Sequence, residues 1–273
     1  MKLFHYTDLN SLISILQRQE IWLTDIRYLN DERELHEGLE KIRDILKSIR
    51  SENLMDQDYS SKAISFLDNV LREHTEFIYV DDSIFVFSLS NQPDCLSQWR
   101  AYGKYAIEFD VQELSTQIGD IQKCSYKNSL HEKTLLEKIT SAISGTAEDM
   151  TTNDGCVHKG MDIASQLISL AATIKHSGFE DERESRIILS TGEYGCERKI
   201  NYRARGDVLI PYISLPISLD CIKSVTVGPL REQDMAFNSL YELIKRIEYS
   251  YQSETGNLEF EIDVLKSQIP FRG

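Results

Sequence analysis

The chain has 273 residues, 41% hydrophobic and 27% charged, an ordinary composition for a soluble globular protein. Its net charge of −14 and pI near 4.9 argue against non-specific nucleic-acid binding, which depends on Lys and Arg neutralising phosphates. A local basic pocket or a basic protein partner stays compatible with that balance. No apolar run reaches the length of a membrane span, and MKLFHYTDLN does not read as a signal peptide. The five cysteines (Cys95, Cys124, Cys156, Cys196, Cys221) are scattered, with no C-x-x-C pair. They predict neither a disulfide framework nor a structural zinc site, and a cytoplasmic setting without membrane contact is expected.

Lys2 to Tyr6 reads as a short strand, and Thr7 or Asp8 can cap a helix carrying Leu9, Leu12, Ile13 and Leu16. Ile21-Trp22-Leu23 predicts a second strand and Thr24 to Asp31 a polar loop. Asp31 and Glu34 have capping-box spacing ahead of an amphipathic helix with Leu35, Leu39, Ile42, Leu46 and Ile49 on one stripe. A further helix is expected over 62–77. Ser83 to Ser90 (SIFVFSLS) is the strongest strand, its content predicting a central position covered on both faces. CLSQWRAYG reads as a short helix closed by Gly103, and Tyr105 to Asp110 as a strand pairing with SIFVFSLS in a long-range hairpin.

Residues 111–170 read as mostly helical around a strand at 121–126, with a mobile, polar loop over Gly145 to Gly160. A helix over 161–175 leads to FEDERESRIILS at 179–190. Strands are then expected over 198–203, 208–214 and 222–227. A helix over 233–249 and a strand over 258–265 complete the pattern. Strands in three groups without βαβ alternation predict an α+β fold with one mixed or largely antiparallel sheet. The whole chain, 1–273, reads as a single domain with helical insertions near 32–78 and 111–177.

No P-loop, G-x-G-x-x-G, H-E-x-x-H or G-x-S-x-G motif is present, and the six histidines form no metal-ligand pair, so no metal is expected. Polar residues gather at predicted strand ends: His5-Tyr6-Thr7, Arg27 with Asn30-Asp31, Ser88 and Ser90, Trp99 with Tyr102, and Glu182, Glu184 and Arg186. Each has a plain structural alternative: a satisfied histidine, a helix cap, core aromatics at i, i+3, a small residue in a crowded strand, a solvated charge run. In period-2 reading Glu182, Glu184 and Arg186 share a side. Paired carboxylates at a site edge can orient a hydroxyl, stabilise a cation or take a proton.

The succession FHYT, IWLTDIRYLND with Glu34, FSLSNQPDCLSQWRAYG, FEDERESRI, SVTVGP and SQIPFR resembles the bacterial domain-of-unknown-function family numbered twenty-nine seventy-one. That family is grouped with the ADP-ribosyltransferase-like superfamily, which binds NAD in a cleft between two small sheets. The resemblance therefore implies an ADP-ribosyltransferase-like split sheet with a helical insertion. It implies an NAD-dependent mono-ADP-ribosyltransferase acting on an intracellular macromolecule, nucleic acid or protein, as a toxin or anti-phage defence effector with an antitoxin or neutralising partner. A non-catalytic nucleotide-binding or interaction module and an NAD glycohydrolase are the alternatives.

Carried over by position, the resemblance makes His5 the ligand of the adenosine ribose, with Tyr6, Thr7 and Asn30 beside it. Arg27 would meet the pyrophosphate or the target, Ser88 would lie on the middle strand, and Tyr102 or Trp99 would stack on nicotinamide. Glu184 would be the catalytic glutamate, in an E-x-E arrangement with Glu182 and chosen because it lies closest to the strand. SIFVFSLS supplies serines where the superfamily's His-Tyr-Glu pattern has a tyrosine. Were the acceptor a nucleic acid, Arg27, Lys104, Arg183 and Arg186 would be the first residues to form a basic groove.

Overall fold

The computed structural model describes residues 1–29, 33–49, 54, 57–76, 83–126, 129–191 and 198–270. Strand β1, Lys2–Thr7, ends where the Asp8 carboxylate accepts the Ser11 amide and caps helix α1, Leu9–Arg18. Strand β2, Glu20–Asp25, takes in two residues of the expected loop, and Ile26–Tyr28 tighten into a 3-10 turn. The Asp25 carboxylate explains this local order, because it accepts both the amide and the side chain of Arg27. Helices α2, Glu34–Ser48, and α3, Gln57–Glu76, follow. The α3 helix starts five residues before the expected point, with Asp58 in its first turn paired to Lys62 at 2.7 Å. Arg33 holds the N-cap position of α2 without a side-chain cap hydrogen bond. Asp31 lies outside the described residues, and Glu34 is buried against Arg186.

Strand β3, Ile84–Ser90, is central and covered on both faces, as its composition predicted. Phe85, Phe87 and Leu89 enter one core with α1 and helix α8, Gln233–Thr255. Ile84 and Val86 enter a second core with α2 and α3, completed by α6, Ser129–Thr152, and α7, Gly160–Ala171. Helix α4, Leu96–Ala101, then leads to β4, Tyr105–Asp110. The expected β3–β4 hairpin is absent, because β1 lies between them and pairs with β4 along its whole length, Lys2↔Asp110 to Thr7↔Tyr105.

After β4 come α5, Val111–Ile118, and the short strand β5, Ile121–Lys123. The mobile loop expected from Gly145 is helix as far as Thr152. Ile139, Ile143, Ala147 and Met150 keep a helical spacing into the second core, and a Cβ on Gly145 would meet Ile163 of α7 at 3.4 Å. Helical burial thus overrides the local breaker signal. The remaining strands are β6, Glu184–Ser190; β7, Ile200–Arg205; β8, Val208–Pro216; β9, Ile222–Val227; and β10, Asp263–Lys266. Among the described residues the sheet has ten strands, in the order β10-β9-β4-β1-β3-β2-β8-β7, with β6 and β5 branching from β3. Only β9 and β10 pair in parallel among the named strands. The fold is α+β with a mixed sheet dominated by antiparallel pairs.

Candidate active site at a fork in the sheet

Strand β6 pairs with one edge of β3 throughout, from Ile84↔Ser190 to Ser90↔Glu184. The other edge is divided. Strand β2 takes Thr24↔Val86 and Asp25↔Phe85, whereas β1 takes Phe4↔Ser90. The sheet therefore forks beside Phe87-Ser88-Leu89. Buried backbone carbonyls need donors, and the Ser88 carbonyl accepts a 2.9 Å hydrogen bond from His5 Nδ1 at this fork. A carbonyl can only accept, so the proton sits on Nδ1 and Nε2 is left as an acceptor. The ring stacks on Phe87 at 4.1 Å. Burial, opposed by the Ser88 bond, lowers its pKa to about 4, so the imidazole is neutral at pH 7. The fork opens into a cleft of about 460 Å³, within the usual range for small-molecule sites.

The wall on the β6 side is a buried charge network. Ser177–Glu182 form a 3-10 turn, Arg183 adopts a left-handed φ of 43°, and β6 starts at Glu184. Expected to run as one strand from the acidic residues, this stretch instead breaks between Glu182 and Glu184. Ser90 Oγ donates to the Glu182 carbonyl at 2.6 Å and holds that turn against β3. Glu184 Oε1 accepts Arg186 Nε at 2.7 Å, and Oε2 accepts Lys175 Nζ. Lys175 also donates to Glu182 Oε2 at 2.6 Å and lies 3.5 Å from Glu34 Oε1. Arg186 reaches Glu34 at 2.7 Å and the Ala172 carbonyl at 2.5 Å.

Three carboxylates thus share two cations. Burial alone would raise the Glu184 pKa, but Arg186 and Lys175 outweigh it and hold the group at about 2. For Lys175, burial works downward, and the carboxylates of Glu184, Glu34 and Glu182 more than reverse it, so its pKa is raised. Glu34 goes the other way, because burial raises its pKa against the pull of Arg186 and Lys175. Glu184 has 6% of its side chain exposed and both oxygens engaged; Glu182 has 13% exposed. Tyr102 donates its hydroxyl to Glu182 Oε1 at 2.7 Å, which sets that carboxylate at the cleft surface.

The other wall comes from β2 and β7. Arg203 is half-buried, its guanidinium 5.6 Å from the Trp22 ring centre, and it donates to Thr24 Oγ1 at 3.0 Å. Burial lowers its pKa, the charge of Arg205 adds to this, and Asp8 opposes it. Exposed Arg205 reaches the Tyr28 carbonyl at 2.9 Å. Both arginines line the cleft.

The cleft gathers His5, Tyr6, Thr7, Ser88, Ser90, Tyr102, Glu182, Glu184 and Arg186 of the residues named from the sequence. Tyr6 is committed elsewhere, since its hydroxyl donates to the Gln92 carbonyl at 2.6 Å and accepts the Cys95 amide. Trp99 does not line the cleft. It is 1% exposed, in a small core with Phe4, Tyr6 and Ala106, and its Nε1 donates to Asp94. Asp94 also accepts Ser267 Oγ and the Gln268 amide, so DCLSQW and SQIP meet in a structural knot. Arg27 is likewise outside the cleft lining, clamped on Asp25 and Ser83. Asn30 lies outside the described residues.

The four cations expected to form a groove do not converge. Arg186 is buried, Arg27 is bound to Asp25, Lys104 donates to the Trp99 carbonyl and Arg183 is exposed. Sequence reasoning missed Lys175, Glu34, Arg203 and Arg205 as site residues. The alternation of Arg203 and Arg205 in INYRAR was a usable signal. Lys175 stands alone in ATIKHSG and carried none. Among the described residues no group of three or more His, Cys, Asp or Glu is arranged to hold a metal, and no helix is long and apolar enough to cross a membrane.

Residues 98–187 match the model of a family described as a protein of unknown function, DUF2971. The match runs from α4 through the Glu182–Arg186 network, about a third of the chain, and supports the family resemblance over that stretch. No curated protein and no solved structure matches the chain.

Proposed function

We propose that the protein is an NAD-dependent mono-ADP-ribosyltransferase of ADP-ribosyltransferase-like fold, acting on a macromolecule inside a bacterial cell. The observation that carries this reading is the Glu182 carboxylate, held at the cleft by Tyr102 and Lys175 on the far side of β3 from a neutral His5. Breaking the bond between nicotinamide and ribose C1′ sends the bonding pair out with nicotinamide and leaves oxocarbenium character on the sugar. A wall with three carboxylates to two cations stabilises that charge. His5 Nε2 can accept a ribose hydroxyl. The acceptor then bonds to C1′, and its proton passes to Glu182 or to water. Glu184 acts through Lys175, positioning Glu182 rather than touching the sugar. The toxin or defence setting rests on the family resemblance alone.

The test is nicotinamide release from NAD in the presence of bacterial extract. Glu182→Gln should lower it by about 100-fold or more, the usual loss for a positioned acid–base group. Unchanged release in that variant removes Glu182 from the role. Radiolabel that stays on a macromolecule marks transfer; label released as free ADP-ribose marks a glycohydrolase. A second reading, a nucleotide-binding module without turnover, draws on the fact that Lys175 already contacts both Glu182 and Glu184. Calorimetric binding of NAD without nicotinamide release would favour it.

A further inference from the structure

We propose that Arg203 and Arg205 form a diphosphate-binding subsite on the β7 side of the cleft, for a nucleoside diphosphate group. The two guanidinium groups leave β7 at i and i+2, a spacing of about 7 Å along a strand, and both line the cleft. Two arginines on one face of a strand and lining one cleft can contact a diphosphate together, and arginine's planar fork matches phosphate oxygens.

Arg203 is a half-buried cation without a carboxylate bonded to it among the described residues. Thr24 Oγ1 takes one of its five donors, and its charge rests over Trp22. Asp8, the carboxylate that acts on it from a distance, is already engaged by the Ser11 amide and hydroxyl at the start of α1. Burial and the neighbouring Arg205 both disfavour its charged form. An anion bound between the two relieves both costs.

The opposite wall has the reverse arrangement, its cations saturated by carboxylates. A ligand whose phosphates sit at β7 shares its cleft with His5 and Ser88 at the fork. The nucleoside identity rests on the NAD reading above; the phosphate subsite does not need the transfer chemistry.

The test is calorimetric titration of the full chain with ADP, adenosine and inorganic pyrophosphate. ADP should bind at least ten times more tightly than adenosine, with pyrophosphate between them. Arg203→Ala or Arg205→Ala should weaken ADP at least tenfold and leave adenosine unchanged. Lys199→Ala, at an exposed cation just ahead of β7 and outside the cleft lining, should alter neither. Arg203→Lys keeps the charge but loses the fork, and should fall between wild type and Arg203→Ala. Should Arg203→Ala fail to fold, the exposed Arg205 carries the comparison. ADP binding no tighter than adenosine, arginine variants that bind ADP like wild type, or an equal loss in Lys199→Ala would each overturn the subsite. Failure of NAD cleavage with ADP still bound through Arg203 would instead remove only the transfer reaction.

Discussion

The two walls of the cleft use charge in opposite ways. On the β6 side, Glu34, Glu184, Lys175 and Arg186 are all under 10% exposed and neutralise one another by direct contacts. On the β7 side, Arg203 and Arg205 are half-buried and exposed, with neutral oxygens as their hydrogen-bond partners. A buried ion cluster is held by its own members, and removing one strands the others in a poor solvent. Cations bordering a cleft without carboxylate partners are instead completed by whatever binds there. The first wall thus neutralises itself by direct ion pairs, the second leaves its charge facing the cleft, and Glu182 lies at the border between them.

Removing Glu184 is the strongest way to break that contrast. Glu184→Ala leaves Arg186 and Lys175 without their main counter-charge and should cost about 3–5 kcal/mol of stability, read as a lower urea midpoint. A loss below about 1 kcal/mol would mean that the network is no more structural than a surface pair. Lost activity in that variant bears on catalysis only where its fold is intact.

The pH dependence of stability comes next. The Glu184 pKa is depressed from 4.5 to about 2. Its contribution is therefore fully present above the unfolded value and disappears as pH falls through the folded one. Between roughly pH 4.5 and pH 2 the wild type should lose about 3 kcal/mol through this group. Urea melts across that window should be correspondingly flatter for Glu184→Gln, and an equal slope in both proteins would assign the loss to other carboxylates.

Smaller effects sharpen the border. Glu182→Gln removes one of three carboxylates around Lys175 but keeps an acceptor for Tyr102, so it should cost about 1–2 kcal/mol in thermal or urea melts. A cost matching that of Glu184→Ala would make Glu182 part of the structural wall. Arg203→Ala should change the stability of the unliganded protein by no more than about 1 kcal/mol, chiefly the lost contact with Trp22. A larger loss would move Arg203 to the structural side of the comparison.

Trp99 and Tyr102 show how far such roles are legible in a sequence. Both stand in CLSQWRAYG three residues apart, either suited to stack on a ligand or to fill a core. Helix α4 sends Trp99 under Gly228, where a Cβ would come within 2.6 Å of the indole, and leaves Tyr102 on Glu182. Nothing in the local pattern separates the two, because the deciding partners lie about 80 to 130 residues away. The same distance hid Glu34, whose spacing suits a helix cap and whose carboxylate serves Arg186 across 152 residues.

The amino-acid order by itself determined the elements and the chemistry on offer. Apolar, β-branched and aromatic content marked β3, apolar periodicity marked the stripe of α2 and the helix α8, and strand grouping marked an α+β fold with a mixed or largely antiparallel sheet. These are local signals, set by side chains that must share one buried face. Tertiary structure alone decided which charges meet. The insertion of β1 between β3 and β4, and the division of one β3 edge between β1 and β2, create the fork. That fork brings His5 to Ser88, and the turn before β6 separates a cleft-facing Glu182 from a buried Glu184. Strand pairing and ion-pair partners are long-range choices. Their energies depend on burial and geometry that two neighbouring residues of the same type do not share.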